Sequence, residues 1–345
     1  PVILALDDDF AARDEARFRP GEVHRAAVLG PRQFGFAPDL VQLLKKARLD
    51  CLHLHGVWMY PSRAAMIWAR ATGRPYLISP HGMLDPWITR RGRWKKAAAR
   101  LGYERASWRA ATTFHALTDR EAIDIQRETG RADCIVIGNS GPSPGSAPAG
   151  PRGPHLLFIS RIHPKKNLGP LITAWRDLAA TGSLPPDARL TIAGWGEPED
   201  VAELKADLAS APPSIRFIGP CFGVDKAREL VAARFVVLPS LSEGLPITLL
   251  EAWAAGTPTL QSIECNLPEG LAAGAALNCG VDQAAIRASL VEALTMPFDR
   301  WLAMAMAARR LAADTFSRSR IAARWADAYR ELLSGAGRDS GHDAA

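Results

Sequence analysis

Apolar residues in this chain come in short blocks of four or five, separated by longer stretches in which they return every three or four positions. Short apolar blocks bounded by turn residues suit buried strands, and the longer period suits amphipathic helices. Strands are expected over 2–6, 51–55, 75–79, 113–117 and 134–137, with helices over 40–47, 62–72 and 119–129. Strands that are apolar on both faces and alternate with helices make a parallel sheet covered on each side. Residues 141–154 break the pattern with Gly, Pro, Ser and Ala, and Arg152 is their only charge. The alternation then restarts, with strands expected over 155–160, 189–193, 214–218, 234–238 and 257–260 and helices over 168–180, 200–209, 226–233 and 247–255.

The pattern implies an α/β chain of two sheet domains, residues 1–140 and 155–316, joined by a linker at 141–154. Helices are expected within 282–309, a last helix over 317–334 packing back toward the first domain, and a flexible tail over 335–345. Two sheet domains facing each other would leave a crevice at their strand ends, where such folds hold ligands.

Composition narrows the partners. A length of 345 residues with 48% hydrophobic content is enough for two cores. Five cysteines, Cys51, Cys134, Cys221, Cys265 and Cys279, form an odd set without paired metal-ligand spacing, which argues for a reducing compartment and against structural zinc. With no signal-like leader or long apolar span in the sequence, the expected location is cytoplasmic. The net charge of +6 is unevenly spread, since residues 87–109 hold eight basic residues against the single acid Glu104. Trp87, Trp94, Tyr103 and Trp108 are interleaved with them, so the segment either rests on an anionic membrane surface or is a solvated helix face with its rings turned inward. Nucleic acid is not favoured, because no recognition motif accompanies the charge.

The chemistry concentrates after predicted strands. Ser240-Leu-Ser-Glu-Gly-Leu-Pro-Ile-Thr-Leu-Leu-Glu251 puts Glu243 in a loop above a strand end and Glu251 about two turns into the next helix. The amides of Gly244 and Leu245 would face an anionic group. Strand 155–160 runs into Arg161-Ile-His-Pro-Lys-Lys-Asn167, where Arg161 offers a planar fork to a diphosphate and Lys166 a mobile point charge, with Lys165 facing solvent. Gly194 and Gly196 permit a tight turn and close ligand approach. From the first half, His81 in Ser79-Pro-His-Gly82 would reach toward the crevice, with Asp85 a weaker candidate. His53 and His55 share a strand face without a matching carboxylate or Cys, which favours buried or loop-bonded histidines over a metal site. Dinucleotide, P-loop and nucleophile-elbow motifs are all missing from the sequence.

Ser160-Arg-Ile-His-Pro-Lys-Lys-Asn167, Ala193-Gly-Trp-Gly196 and the run from Glu243 through Glu251 to Pro258 together resemble the donor-binding signature of retaining glycosyltransferases of family 4, and Ser79-Pro-His-Gly82 matches in the acceptor half. The resemblance implies two facing Rossmann-like domains, the GT-B fold, and transfer from a nucleotide-sugar without a metal or other cofactor. By the same resemblance, Arg161 and Lys166 hold the diphosphate, Glu243 and the Gly244 and Leu245 amides meet the sugar or phosphate, Glu251 takes the ribose hydroxyls and His81 touches the sugar. It also implies an N-terminal domain lacking its first βα unit, because the chain opens at Pro1 on what resembles a later strand. The basic aromatic segment from Trp87 to Trp108 suits a glycan or lipid-linked glycan acceptor of envelope or extracellular polysaccharide, with a peripheral place on the inner membrane face expected. A phosphorylase or sucrose-type synthase, and a non-catalytic sugar-nucleotide-binding protein, are the rival expectations.

Overall fold

The computed structural model describes residues 1–9, 21–148 and 150–339, with side chains up to residue 334. The chain divides into two compact units, Pro1–Ile137 with Ala323–Ala345, and Gly138–Ala322.

In the first unit, β1 (Val2–Leu6) and β2 (Glu22–Ala26) form a parallel pair. Strands β3 (Leu52–His55), β4 (Tyr76–Ser79), β5 (Thr113–Ala116) and β6 (Cys134–Val136) form a separate parallel sheet in that order. Strand β2, with its polar Glu22, His24 and Arg25, carries no apolar block, so pairing with β1 rather than local pattern makes it a strand. Helix Tyr60–Thr72 buries Trp68 and ends at Gly73, whose φ of 66° is the left-handed cap that stops a helix without steric cost. The sheet's core is Tyr76, Ile78, Phe114 and Ile125.

The basic segment is a broken helix, Pro86–Thr89, Arg93–Ala99 and Arg105–Ala110, with a π-helical turn at Arg100–Glu104. Its aromatics divide: Trp108 turns inward and is core, while Trp94, like its neighbour Leu101, is 73% exposed. The helix Arg318–Asp339 continues five residues into the stretch expected as a tail, of which residues 340–345 lie outside the described part. Its Arg324 donates to the Val136 carbonyl and its Trp325 ring lies 4.5 Å from that of His115.

The second unit carries six parallel strands, β7 (His155–Ile159), β8 (Arg189–Ala193), β9 (Ile215–Phe217), β10 (Phe235–Leu238), β11 (Thr259–Gln261) and β12 (Ala276–Asn278). Their order is β12-β11-β10-β7-β8-β9, with β7 and β10 buried throughout, as expected of apolar central strands. Trp175, Trp253, Trp301, Phe158 and Phe235 fill the two faces. Residues 141–154, expected as a linker, are fastened to this unit: Gly141 donates to Phe316 O at 2.9 Å, and Arg152 donates to Ala233 O at 2.7 Å and Thr257 Oγ1 at 2.6 Å. Their Gly- and Pro-rich composition signals irregular backbone, not whether that backbone is packed.

Candidate active site

Strand order reverses between β7 and β10, and a parallel sheet leaves its ligand crevice at the carboxyl ends of the strands flanking such a reversal. The loops after these two strands are the ones carrying Arg161, Lys166 and Glu243. Lys166, in the short 3-10 turn Pro164–Lys166, forms an ion pair through Nζ with Glu243 Oε1, and Ser240 Oγ donates to that same oxygen at 2.7 Å. Leu241 N donates to Lys165 O at 2.8 Å and Glu243 N to Glu264 O at 3.0 Å, so both loops are pinned by backbone as well as charge. Lys166 and Glu243 are 7% and 8% exposed, which makes Lys166 a fixed cation and not the mobile one expected. A buried pair persists only where geometry and hydrogen bonds offset the loss of hydration, and both are present here.

Arg161 is exposed and lies over the Trp195 ring, its Cζ 4.9 Å from the centroid. Among the described residues it has no carboxylate partner, so its fork is available to an anion. The glycines flanking Trp195 have a cause inside the protein. Ile162 N donates to Trp195 O at 2.8 Å, and a Cβ on Gly194 or Gly196 would stand 2.0 Å from Ser160 O or 2.2 Å from Ile162 O. Both clashes are with backbone that has no free rotation to yield. Gly194→Ala is therefore expected to cost at least the upper end of the roughly 1–3 kcal/mol typical of overpacking, read from the urea midpoint of purified protein. An unchanged midpoint would refute the close approach.

Glu251 is the fifth residue of the helix Ile247–Ala254, which begins where expected, so at 3.6 residues per turn it lies little more than one turn in and not two. It forms an ion pair with Lys226 of the helix Gly223–Ala232, both side chains being about three-quarters buried at 24% and 22% exposure. The sequence carried no sign of Lys226, since nothing in its own helix marks it as facing a carboxylate. The amides of Gly244 and Leu245 donate to no group among the described residues. Two unpaired amides just ahead of a helix make a favourable seat for an anionic oxygen.

His81 belongs to the first unit and sits in a left-handed conformation at φ 54°. The carboxylate of Glu121 holds this turn, accepting from Gly82 N and, at 2.8 Å, from Leu117 N. His81 Nε2 lies 2.8 Å from His55 Nδ1, and the His55 ring stacks on His53 at 4.1 Å. His53 Nε2 meets Ser79 Oγ at 2.6 Å, Ser79 Oγ meets His115 Nδ1 at 2.6 Å, and His115 Nε2 meets Ile137 O at 2.8 Å. Tyr329 OH closes the far side on His53 Nδ1 at 2.7 Å. Burial lowers all four histidine pKa values, to about 3 at His53 and about 4 at His115, so the chain is neutral near pH 7. His115 and Tyr329 escaped notice in the sequence, and Ser79 entered it only as part of a motif, because the three meet only through sheet pairing and the last helix. Asp85, the weaker candidate, caps the helix Pro86–Thr89 by accepting from Trp87 N at 2.6 Å. The described residues contain no cluster of three or more His, Cys, Asp or Glu able to hold a metal ion.

Two parallel α/β units, the second with its ligand loops at a strand-order reversal, define the class: a double Rossmann-like fold of the GT-B type. Residues 2–140 match the family model described as glycosyl transferase 4-like domain, and residues 153–296 match that described as glycosyl transferases group 1. The chain belongs to this glycosyltransferase family. Among curated proteins it is 33% identical over 122 residues to the amylovoran biosynthesis glycosyltransferase AmsK of Erwinia amylovora, covering 33% of this chain and 29% of that protein. It is 28% identical over 183 residues to the O-antigen chain mannosyltransferase B of Escherichia coli, covering 52% and 46%. The matched stretches thus span less than half the length of these relatives. Among solved structures, that of Anabaena Alr3699/HepE in complex with UDP and glucose superposes with a TM-score of 0.72 at 17% identity, covering 96% of this chain and 99% of that one.

Proposed function

We propose that the protein transfers a glycosyl group from a nucleoside diphosphate-sugar, with retention at the anomeric carbon, to a glycan or lipid-linked acceptor in the assembly of an envelope or extracellular polysaccharide. The observation that carries the reading is the buried Lys166–Glu243 pair at the strand-order reversal, beside the available Arg161 fork and the unpaired Gly244 and Leu245 amides. In the reaction the bond between the anomeric carbon and the diphosphate oxygen breaks, and its electron pair stays on the diphosphate. Fixed donors aimed at that growing charge lower the barrier. Arg161 and Lys166 take that role, and Glu243, anchored through Lys166 and Ser240, accepts from sugar hydroxyls. The acceptor oxygen bonds the carbon from the side the diphosphate leaves, and its proton passes to the departing phosphate oxygen. Glu251 accepts from the ribose hydroxyls, a geometry that Lys226 holds in place. The polysaccharide context is supported by the similarity to an amylovoran biosynthesis glycosyltransferase and an O-antigen chain mannosyltransferase. A peripheral place on the cytoplasmic face of a membrane completes the proposal, supported by the exposed Trp94 and Leu101 among the arginines.

The test is release of nucleoside diphosphate from a panel of UDP-, GDP- and ADP-sugars by the full chain, with soluble and lipid-linked acceptors and with EDTA. Turnover of one donor, undiminished by EDTA and giving the donor's own anomer, is expected. Glu251→Ala is expected to raise the donor KM about tenfold or more, since losing a hydrogen bond to a charged group costs about 1.5–3 kcal/mol. Binding without turnover, or sugar cleavage that needs only inorganic phosphate, would overturn the transferase reading.

A further inference from the structure

The broken basic helix encloses an open cavity of about 840 Å³ lined by Thr89, Arg90, Arg93, Trp94, Ala97, Arg100 and Glu128. Arg93, Ala97 and Arg100 follow one another at four and three positions, so they lie on a single helical stripe with the small Ala97 between two long cations. The turn delivering Arg90 to the same space is held by Lys96, whose Nζ points inward and donates to Ile88 O at 2.7 Å and to the Arg91 carbonyl. Lys96 is therefore a strut of the cavity, not a free surface charge. Arg100 is paired with Glu128 and lies over the Trp58 ring at 5.5 Å, which fixes the back wall. Among the described residues Arg90 and Arg93 have no carboxylate partner. Three guanidinium groups thus face one carboxylate, and Trp94 stands 73% exposed at the rim with Lys95 over its ring.

We infer that this cavity binds the phosphate or diphosphate head of an amphiphile, with Arg90 and Arg93 as its unpaired forks and Trp94 against the start of the apolar tail. Planar forks match phosphate oxygens two at a time. The volume exceeds a lone phosphate and falls in the range of clefts of roughly 300–1,000 Å³ that hold whole small molecules. An inorganic anion would leave the aromatic rim unused, whereas an amphiphile uses both parts. Two sources share this chemistry, a lipid of an anionic bilayer and a lipid diphosphate that carries the acceptor glycan. Calling the second an acceptor rests on the transferase reading, but binding needs no donor and can be measured without it.

The experiment compares two variants that remove equal charge, Arg90→Gln with Arg93→Gln, and Arg105→Gln with Arg109→Gln, the latter pair being exposed and outside the cavity. Calorimetry uses farnesyl diphosphate and, as control, farnesol; co-sedimentation uses phosphatidylcholine vesicles with and without phosphatidylglycerol. The cavity variant is expected to lose at least tenfold in affinity while the outer variant stays within twofold. A selective loss with farnesyl diphosphate assigns the head to a lipid-diphosphate acceptor, and one seen only with vesicles assigns it to a bilayer lipid. Equal losses in both variants reduce the effect to general charge attraction and overturn the site, as does wild-type binding of neither probe. Nucleoside diphosphate binding by the same preparations reports separately on the donor site, so a failure of either reading is seen by itself.

Discussion

Lys166→Ala is expected to lower kcat by about 10²–10³-fold and to destabilise the second unit by about 3–5 kcal/mol, two effects with one origin. The lysine is buried against Glu243, so truncating it removes the cation proposed to meet the diphosphate and leaves a carboxylate in a dry site where, among the described residues, Ser240 is its remaining side-chain partner. The double variant Lys166→Ala with Glu243→Gln separates the two. Neutralising the orphaned carboxylate is expected to restore much of the denaturation midpoint while kcat stays low. Arg161→Ala is the complementary case, since Arg161 is exposed and among the described residues is held by Trp195, so it is expected to lose activity with little change in midpoint. A double variant as active as Glu243→Gln alone would show that the lysine only keeps the loops in place.

Acid is expected to act on the first unit through its histidine chain. A histidine with a depressed folded pKa contributes stability that is whole above about pH 6.5 and is lost as pH falls, because the unfolded chain takes up protons that the folded chain refuses. With His53 at about 3 and His115 at about 4, the window lies below 6.5, and by pH 5 the loss approaches roughly 2 kcal/mol for each before solvent screening. Glu104 works in the opposite sense. Burial raises its pKa to about 7, so its contribution is whole below about 4.5 and is lost as pH rises through 7. His115→Gln should therefore flatten the fall in urea midpoint between pH 7 and 5, and Glu104→Gln should steepen it. Parallel profiles for wild type and both variants would mean that neither group is shielded as the structure has it.

Much of this architecture was legible as pattern. The central strands β4, β5, β7, β8 and β10 are short apolar blocks because a parallel sheet buries both faces, and burial writes itself into composition. Strands β2 and β12 were not legible, having three to five residues and too little apolar character to stand out from loops. Their hydrogen-bonded neighbours make them strands. The site divides the same way. Glu243 and Glu251 are announced by one contiguous motif, but their partners Lys166 and Lys226 lie far off in the chain, and local periodicity holds no record of such distances.

Residue types and their short-range order were therefore enough to determine the alternation of strands and helices and the strand ends that carry charge. Only the tertiary structure decided that Lys166 is a fixed cation, that Gly194 and Gly196 are required by backbone contact, that Ser79 bridges His53 and His115 in a chain of four histidines, and that the arginines of a broken helix line a cavity. The reason is physical. Secondary structure follows from backbone sterics and burial period within a few residues, whereas the state of a charge depends on which distant groups exclude water from it and which remain to pair with it.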